Sequence, residues 1–134
     1  MGVTMKLYDN EEIGVSSEKT CCTLKDVEDA RFVAQALDMP YYVLNFKDKF
    51  EEEVIQRFVD TYIEGGTPNP CIDCNHRIKF RALMRRMEEL GYDYVVTGHY
   101  ARISYDETSG KYILKKALDS TKDQSYVLYN LTQE

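Results

Sequence analysis

Apolar residues along this chain fall into short continuous runs separated by longer stripes at helical spacing. The run "GVTMKLY" (2–8) predicts a buried strand, and the polar residues 9–20 behind it predict a loop. Leu24, Val27, Ala30, Val33, Ala34 and Leu37 then recur as a helix face, opened by a Thr23/Asp26 pair of capping-box type and stopped by Pro40. "YYVLNF" (41–46) predicts a second strand. Over 50–63, Phe50, Val54, Phe58 and Tyr62 form one i, i+4 stripe with Ile55, Val59 and Ile63 beside it, and Gly65-Gly66 ends the helix. Another helix follows, with Ile78, Ala82, Leu83, Met87 and Leu90 facing inward and Gly91 as its stop.

"YDYVVTG" (92–98) predicts a third strand. "YARISY" and "KYILKK", joined by "DETSG", predict an antiparallel hairpin, and the tail "TKDQSYVLYNLTQE" a loop entering a short helix. Strands alternating with helices imply an α/β domain with a mainly parallel sheet, whose ligands gather at the strands' C-terminal ends. No repeat, low-complexity tract or linker breaks the 134 residues, which suffice for one domain with a genuine core.

Composition (43% hydrophobic, 30% charged) fits a globular protein, and no apolar run approaches the ~20 residues of a membrane span. The N-terminus lacks the basic n-region and cleavage-type end of a secretory signal. Four cysteines occur as two local pairs, Cys21-Cys22 and Cys71/Cys74. A secreted disulfide framework would spread them to close long loops, so the expected setting is a reducing cytosol.

The stretch "TPNPCIDCNHRIKF" (67–80) holds the most informative chemistry. A zinc site needs about four ligands, and the adjacent Cys21-Cys22 with His76 and His99 supplies them poorly. A Cys71–Cys74 disulfide closes too small a loop to stabilise much, and two buried thiols serving as small hydrophobes is the bland alternative. The nucleophile reading draws on more of the surroundings. Pro68 and Pro70 stiffen the loop and push Asn69 toward extended backbone, presenting both thiols at a helix N-terminus. That position, with Arg77 and Lys79 following, favours the thiolate.

Net charge is −6, yet Arg77, Lys79, Arg81, Arg85 and Arg86 lie between Asn75 and Met87 with no acid among them. Arg77, Arg81 and Arg85 at i, i+4 and i+8 would share a face, either an ordinary solvated one or a phosphate track leading to the thiols. His99 in "TGHYAR" sits at a strand end and reads equally well as structural. The tyrosines read as packing.

Four segments in order, "CCTLKDVEDARFVAQALDMPYYVLNF", "TPNPCIDCNHRIKF", "DYVVTGHYARI" and "KDQSYVLYNLTQE", closely resemble the bacterial tRNA-specific 2-thiouridylases across essentially the whole chain. The resemblance implies the adenine-nucleotide α-hydrolase (PP-loop ATPase) fold and ATP-dependent transfer of sulfur to the wobble uridine of tRNA. Matched motif by motif, it implies Cys74 as a catalytic cysteine. Asn69, Pro70 and Cys71 would lie at the target base, Met5 and Gly98 at the adenine nucleotide, and Lys122, Asp123 and Gln124 at tRNA. Implied with these are ATP with Mg2+, a persulfide-donating relay protein, a cytoplasmic location, and no membrane or resident metal. ATP would adenylate the uracil C2 oxygen, a cysteine persulfide would deliver sulfur, and a second cysteine would resolve it as a disulfide.

Three departures from the family pattern shape further expectations. The glycine-rich phosphate loop and its strand should precede "GVTMK", and "GVSS" (14–17) is no substitute. The partner cysteine and later domains are expected beyond residue 134. The chain is thus expected to be a partial nucleotide-binding and catalytic domain, unable to make 2-thiouridine alone. Many members carry Asp where this chain has Cys71, which leaves the acid/base role unassigned. It also raises an iron–sulfur alternative of the 2-thiocytidine type, with Cys71 and Cys74 as two ligands. A noncatalytic RNA-binding module is the other alternative.

Overall fold

Three helices in this chain end the same way, with a left-handed residue and a backbone bond reaching back five positions. The computed structural model describes residues 1–9 and 24–133. Cys21-Cys22, the cap expected at Thr23, "GVSS" and the loop expected over residues 10–20 lie outside the described residues. The chain forms two compact units, Met1–Glu52 and Glu53–Glu134.

In the first unit, β1 (Gly2–Lys6) and β2 (Tyr41–Asn45) pair in parallel, from Gly2 opposite Tyr41 to Lys6 opposite Asn45. Between them in sequence comes α1 (Leu24–Ala36), which packs on both strands. The approach is close: a Cβ on Gly2 would lie 3.3 Å from the Ala34 Cβ, and Ala34 is buried. Tyr41 Oη donates to Thr4 Oγ1 across the pair at 2.6 Å. Before Pro40 intervenes, α1 is already closed by Asp38 at φ 50° and a Met39 N–H to Ala34 O bond of 2.8 Å. α2 (Lys47–Phe50) follows β2, with Lys47 and Lys6 both on the Asp9 carboxylate.

The second unit begins within the π-helical residues Glu51–Ile55, which lead into α3 (Gln56–Ile63). Gly65 (φ 82°) and a Gly66 N–H to Thr61 O bond of 2.8 Å end it. α4 (Pro70–Asp73), π-helical Cys74–Ala82 and α5 (Leu83–Glu89) come next, ended by Gly91 (φ 79°) and a Tyr92 N–H to Met87 O bond of 2.9 Å. β3 (Ala101–Asp106) and β4 (Lys111–Lys116) make the expected antiparallel hairpin. Its turn is held by Asp106, whose carboxylate accepts from Thr108 N–H and Ser109 Oγ. A short 3-10 turn, Ser125–Leu128, packs on α4, on Cys74–Ala82 and on β4. Gln133 runs beside β4, bonding both the N–H and the carbonyl of Tyr112.

The core of this unit is Val54 and Ile78, wholly buried, with Leu83, Met87, Val127 and Leu128. The stripe Phe50, Val54, Phe58, Tyr62 is therefore buried only around Val54, and Tyr62 is 56% exposed. Leu90, expected inside, is exposed.

Two sequence expectations are corrected. The third strand over 92–98 is irregular backbone, with Tyr94 85% and Val96 93% exposed. Its residues have high β-propensity, but that preference is realised through cross-strand packing, and none of the described strands pairs with it. Likewise the sheet is not one mainly parallel layer: the described strands form a two-stranded parallel pair and a separate antiparallel hairpin.

Candidate thiol and nucleic-acid site

The prolines shape the cysteine turn as their chemistry requires. Asn69, ahead of Pro70, is extended (φ −120°, ψ 98°) and caps α4, its Oδ1 accepting from Cys71 N–H at 3.1 Å. Pro70 takes the first helical position, where no N–H is needed. Cys71 and Cys74 both lie on this turn, the first exposed and the second half-buried. Asn75 is buried behind them: its Nδ2 donates to Cys71 O at 2.8 Å, while its Oδ1 has no partner among the described residues.

The cations are arranged differently from the sequence expectation. Arg77 is not a free charge beside the thiols. Its Nη1 donates to Glu53 Oε2 at 3.0 Å and its Nε to Asp73 Oδ1 at 3.2 Å, and its side chain is only 22% exposed. Arg57 reaches the same Asp73 oxygen at 3.7 Å. Arg85 and Arg86 both engage Glu89. Arg81 is exposed and, among the described residues, is in no ion pair.

Two further motifs reach the same helix. His99 is half-buried, with its ring 5.8 Å from that of Phe80 and its Nδ1 2.8 Å from Thr97 Oγ1. Burial, and then the Lys79 charge, push its pKa below the ordinary 6.5, so the neutral imidazole is favoured. Gly98 beside it is exposed, and a Cβ there would meet no atom within 4 Å. Lys122 lies over the Tyr100 ring at 5.5 Å. Asp123 accepts from Ala117 N–H at 2.7 Å and from Ser125 Oγ at 2.8 Å, bonds that hold its carboxyl below the usual carboxylate range. Gln124 bonds Tyr100 twice: its N–H to the carbonyl (2.8 Å) and its Oε1 from the amide (3.0 Å).

The second unit therefore contains Asn69, Pro70, Cys71, Cys74, Gly98, Lys122, Asp123 and Gln124, carried by segments that pack on or beside one helix. Met5 lies on β1 of the first unit, opposite Leu44. Sequence reasoning missed Asp73, Glu53 and Asn75. The Asp73/Arg77 pair was readable as an i, i+4 contact, whereas Glu53 is distant in sequence and gave no signal. Among the described residues no three His, Cys, Asp or Glu side chains gather as a metal site. No described helix is long and apolar enough to cross a membrane.

A family described as "tRNA methyl transferase HUP domain" matches residues 1–134. Similar curated proteins include the tRNA-specific 2-thiouridylases MnmA of Desulforamulus reducens (56% identical) and Clostridioides difficile (54%), each match covering 100% of this chain and 37% of the relative. That of Moorella thermoacetica is 55% identical, over 38% of its own length. The chain thus spans somewhat over a third of these relatives, and the match along its whole length places it in the tRNA methyl transferase HUP domain family.

Proposed function

We propose that this chain is the nucleotide-binding and thiol-bearing part of an enzyme that replaces the C2 oxygen of a tRNA uridine with sulfur. The observation that carries the reading is the capped turn Asn69–Cys74. It sets two cysteines on one corner: the Ser125–Leu128 turn that follows Lys122–Gln124 packs on α4 and on Cys74–Ala82, and the His99 ring beside Gly98 lies against Phe80 of that stretch. The names of the relatives supply the substrate and the type of reaction.

In the proposed chemistry the uracil C2 oxygen attacks the α-phosphorus of ATP, releasing pyrophosphate and leaving an O-adenylated base. The terminal sulfur of a cysteine persulfide attacks C2, and AMP departs with the oxygen. A second thiolate then attacks the enzyme-bound sulfur, giving a disulfide between the two cysteines and freeing the thiocarbonyl. Cys74 is one of these two cysteines. Asn69, Pro70 and Cys71 line the base, Met5 and Gly98 meet the nucleotide with its Mg2+, and Lys122, Asp123 and Gln124 serve the tRNA. Gly98 fits this role: neither its backbone conformation nor its surroundings require glycine, whereas a ligand lying against its backbone would. The persulfide comes from a relay protein, in a cytoplasmic setting.

An iron–sulfur cluster at Cys71 and Cys74 would need its other thiolates from outside the described residues. Iron analysis after anaerobic purification decides that alternative. The functional test is incubation of the intact protein with undermodified tRNA, ATP and a sulfur-labelled persulfide donor. Labelled 2-thiouridine that requires ATP is expected. A product lacking sulfur, such as a methylated nucleoside, would refute the reading.

A further inference from the structure

We propose that the open end of the β3–β4 hairpin is an RNA-docking surface, where Arg102 and Lys115 together take phosphates of the tRNA backbone. The inference rests on the functional reading above and extends its tRNA contact beyond Lys122–Gln124. Residues directly opposite each other in an antiparallel pair share a face of the sheet. On one face of this hairpin the pairs are Arg102 with Lys115, Ser104 with Ile113, and Asp106 with Lys111. The pair at the turn end is of opposite charge, whereas the pair at the open end sets two cations side by side. Like charges so placed destabilise a hairpin. Both cations are exposed, and neither enters an ion pair among the described residues. In a chain of net charge −6, the counter-charge that such a pair fits is a polyanion brought by a ligand.

The geometry suits phosphate. Arg102 Nε donates to the Lys116 carbonyl at 2.9 Å, which holds the guanidinium over the strand and leaves Nη1 and Nη2 in no hydrogen bond among the described residues. A guanidinium fixed in this way meets phosphate oxygens with little ordering left to do, and Lys115 opposite adds a point charge. The open end is also stitched to the segment assigned to tRNA. Gln124 clamps both backbone groups of Tyr100, just before β3, and Asp123 accepts from the N–H of Ala117, just after β4. The Ser125–Leu128 turn that follows packs on α4 as well as on β4. Phosphates beyond a base held at the cysteine corner are thus offered Lys122 first, then Arg102 and Lys115. A protein partner fits this face less well: between its charged pairs lie only Ser104 and Ile113, with no aromatic anchor.

The test uses the intact protein and measures affinity for unmodified tRNA across salt concentrations, with the melting temperature of each variant. The double variant Arg102→Gln/Lys115→Gln is expected to bind tRNA about tenfold more weakly at low salt, with the salt slope reduced by about two. Its melting temperature should stay the same or rise, because a like-charge pair has been removed. The charge-keeping double variant Arg102→Lys/Lys115→Arg should retain the slope. Lys111→Gln, at the compensated end, should leave tRNA affinity within about twofold of wild type. The proposal is overturned if the charge-removing variant keeps the wild-type slope, if the charge-keeping one loses it equally, or if Lys111→Gln weakens binding as much. Unchanged tRNA binding with impaired sulfur transfer from the persulfide donor protein would also overturn it, in favour of a protein partner on this face. Wild-type protein that binds no tRNA overturns the functional reading itself, and the docking surface with it.

Discussion

Arg77 separates two accounts of the basic run, and its removal gives a worked magnitude. In the structure its guanidinium is forked between Glu53 and Asp73 at 3.0 and 3.2 Å, with the three side chains 22, 29 and 27% exposed. Each bond is charge-assisted and partly shielded from water, so each is worth more than a surface pair and less than a fully buried one. Together they imply a loss of about 2 kcal/mol for Arg77→Ala, including the repulsion left between two carboxylates. For a protein of this size or larger, that lowers the melting temperature by about 6 °C. Arg85→Ala removes only the exposed pair with Glu89 at 3.6 Å and should cost below about 0.5 kcal/mol. The assay is thermal denaturation of the intact protein beside tRNA binding across salt concentrations. Arg77→Ala should destabilise without changing the salt slope, whereas Arg81→Ala should spare stability and reduce the slope by about one. An Arg77→Ala variant of unchanged stability with a reduced slope would refute the fork and restore the phosphate track.

Other consequences follow from single observations. Asn69→Ala removes the side-chain cap on Cys71 N–H and should destabilise by about 1 kcal/mol, with Asn69→Asp largely sparing the fold in chemical denaturation. Gly98→Ala meets open space and should leave the melting temperature unchanged while weakening binding of an ATP analogue; equal loss of both would mean the glycine serves the fold. His99 has a depressed pKa, so the folded state binds fewer protons there than the unfolded state near and below 6.5. Its contribution to stability is complete above that pH and declines as pH falls through and below it, and His99→Gln should flatten that part of a stability–pH profile.

Much of this architecture was legible in the chain because local signals and tertiary structure agreed. The helix around Ile78, Leu83 and Met87 buries those residues, and "DETSG" closes the hairpin through Asp106 and Gly110. The extended Asn69 and the helix start at Pro70 followed from two prolines, since each restricts backbone irrespective of partners. What was missed depended on groups far apart in sequence. The 92–98 segment has strand residues without a strand partner among those described, and the Arg77 fork needs Glu53, 24 positions away. Asp38 took the left-handed helix-ending position that glycine usually signals, so the stop was assigned to Pro40 instead. At the site, the thiols and the lysine were visible as residue types, but the Gln124–Tyr100 clamp was not, because a glutamine side chain carries no information about which backbone it will bond.

The most direct test of the account is single-turnover thiolation by the intact protein carrying Cys74→Ser, with tRNA affinity measured on the same preparation. The account predicts that 2-thiouridine formation is abolished while tRNA still binds within about twofold of wild type, since the serine keeps the corner's geometry and removes only the sulfur. Thiolation at the wild-type rate by that variant would contradict it.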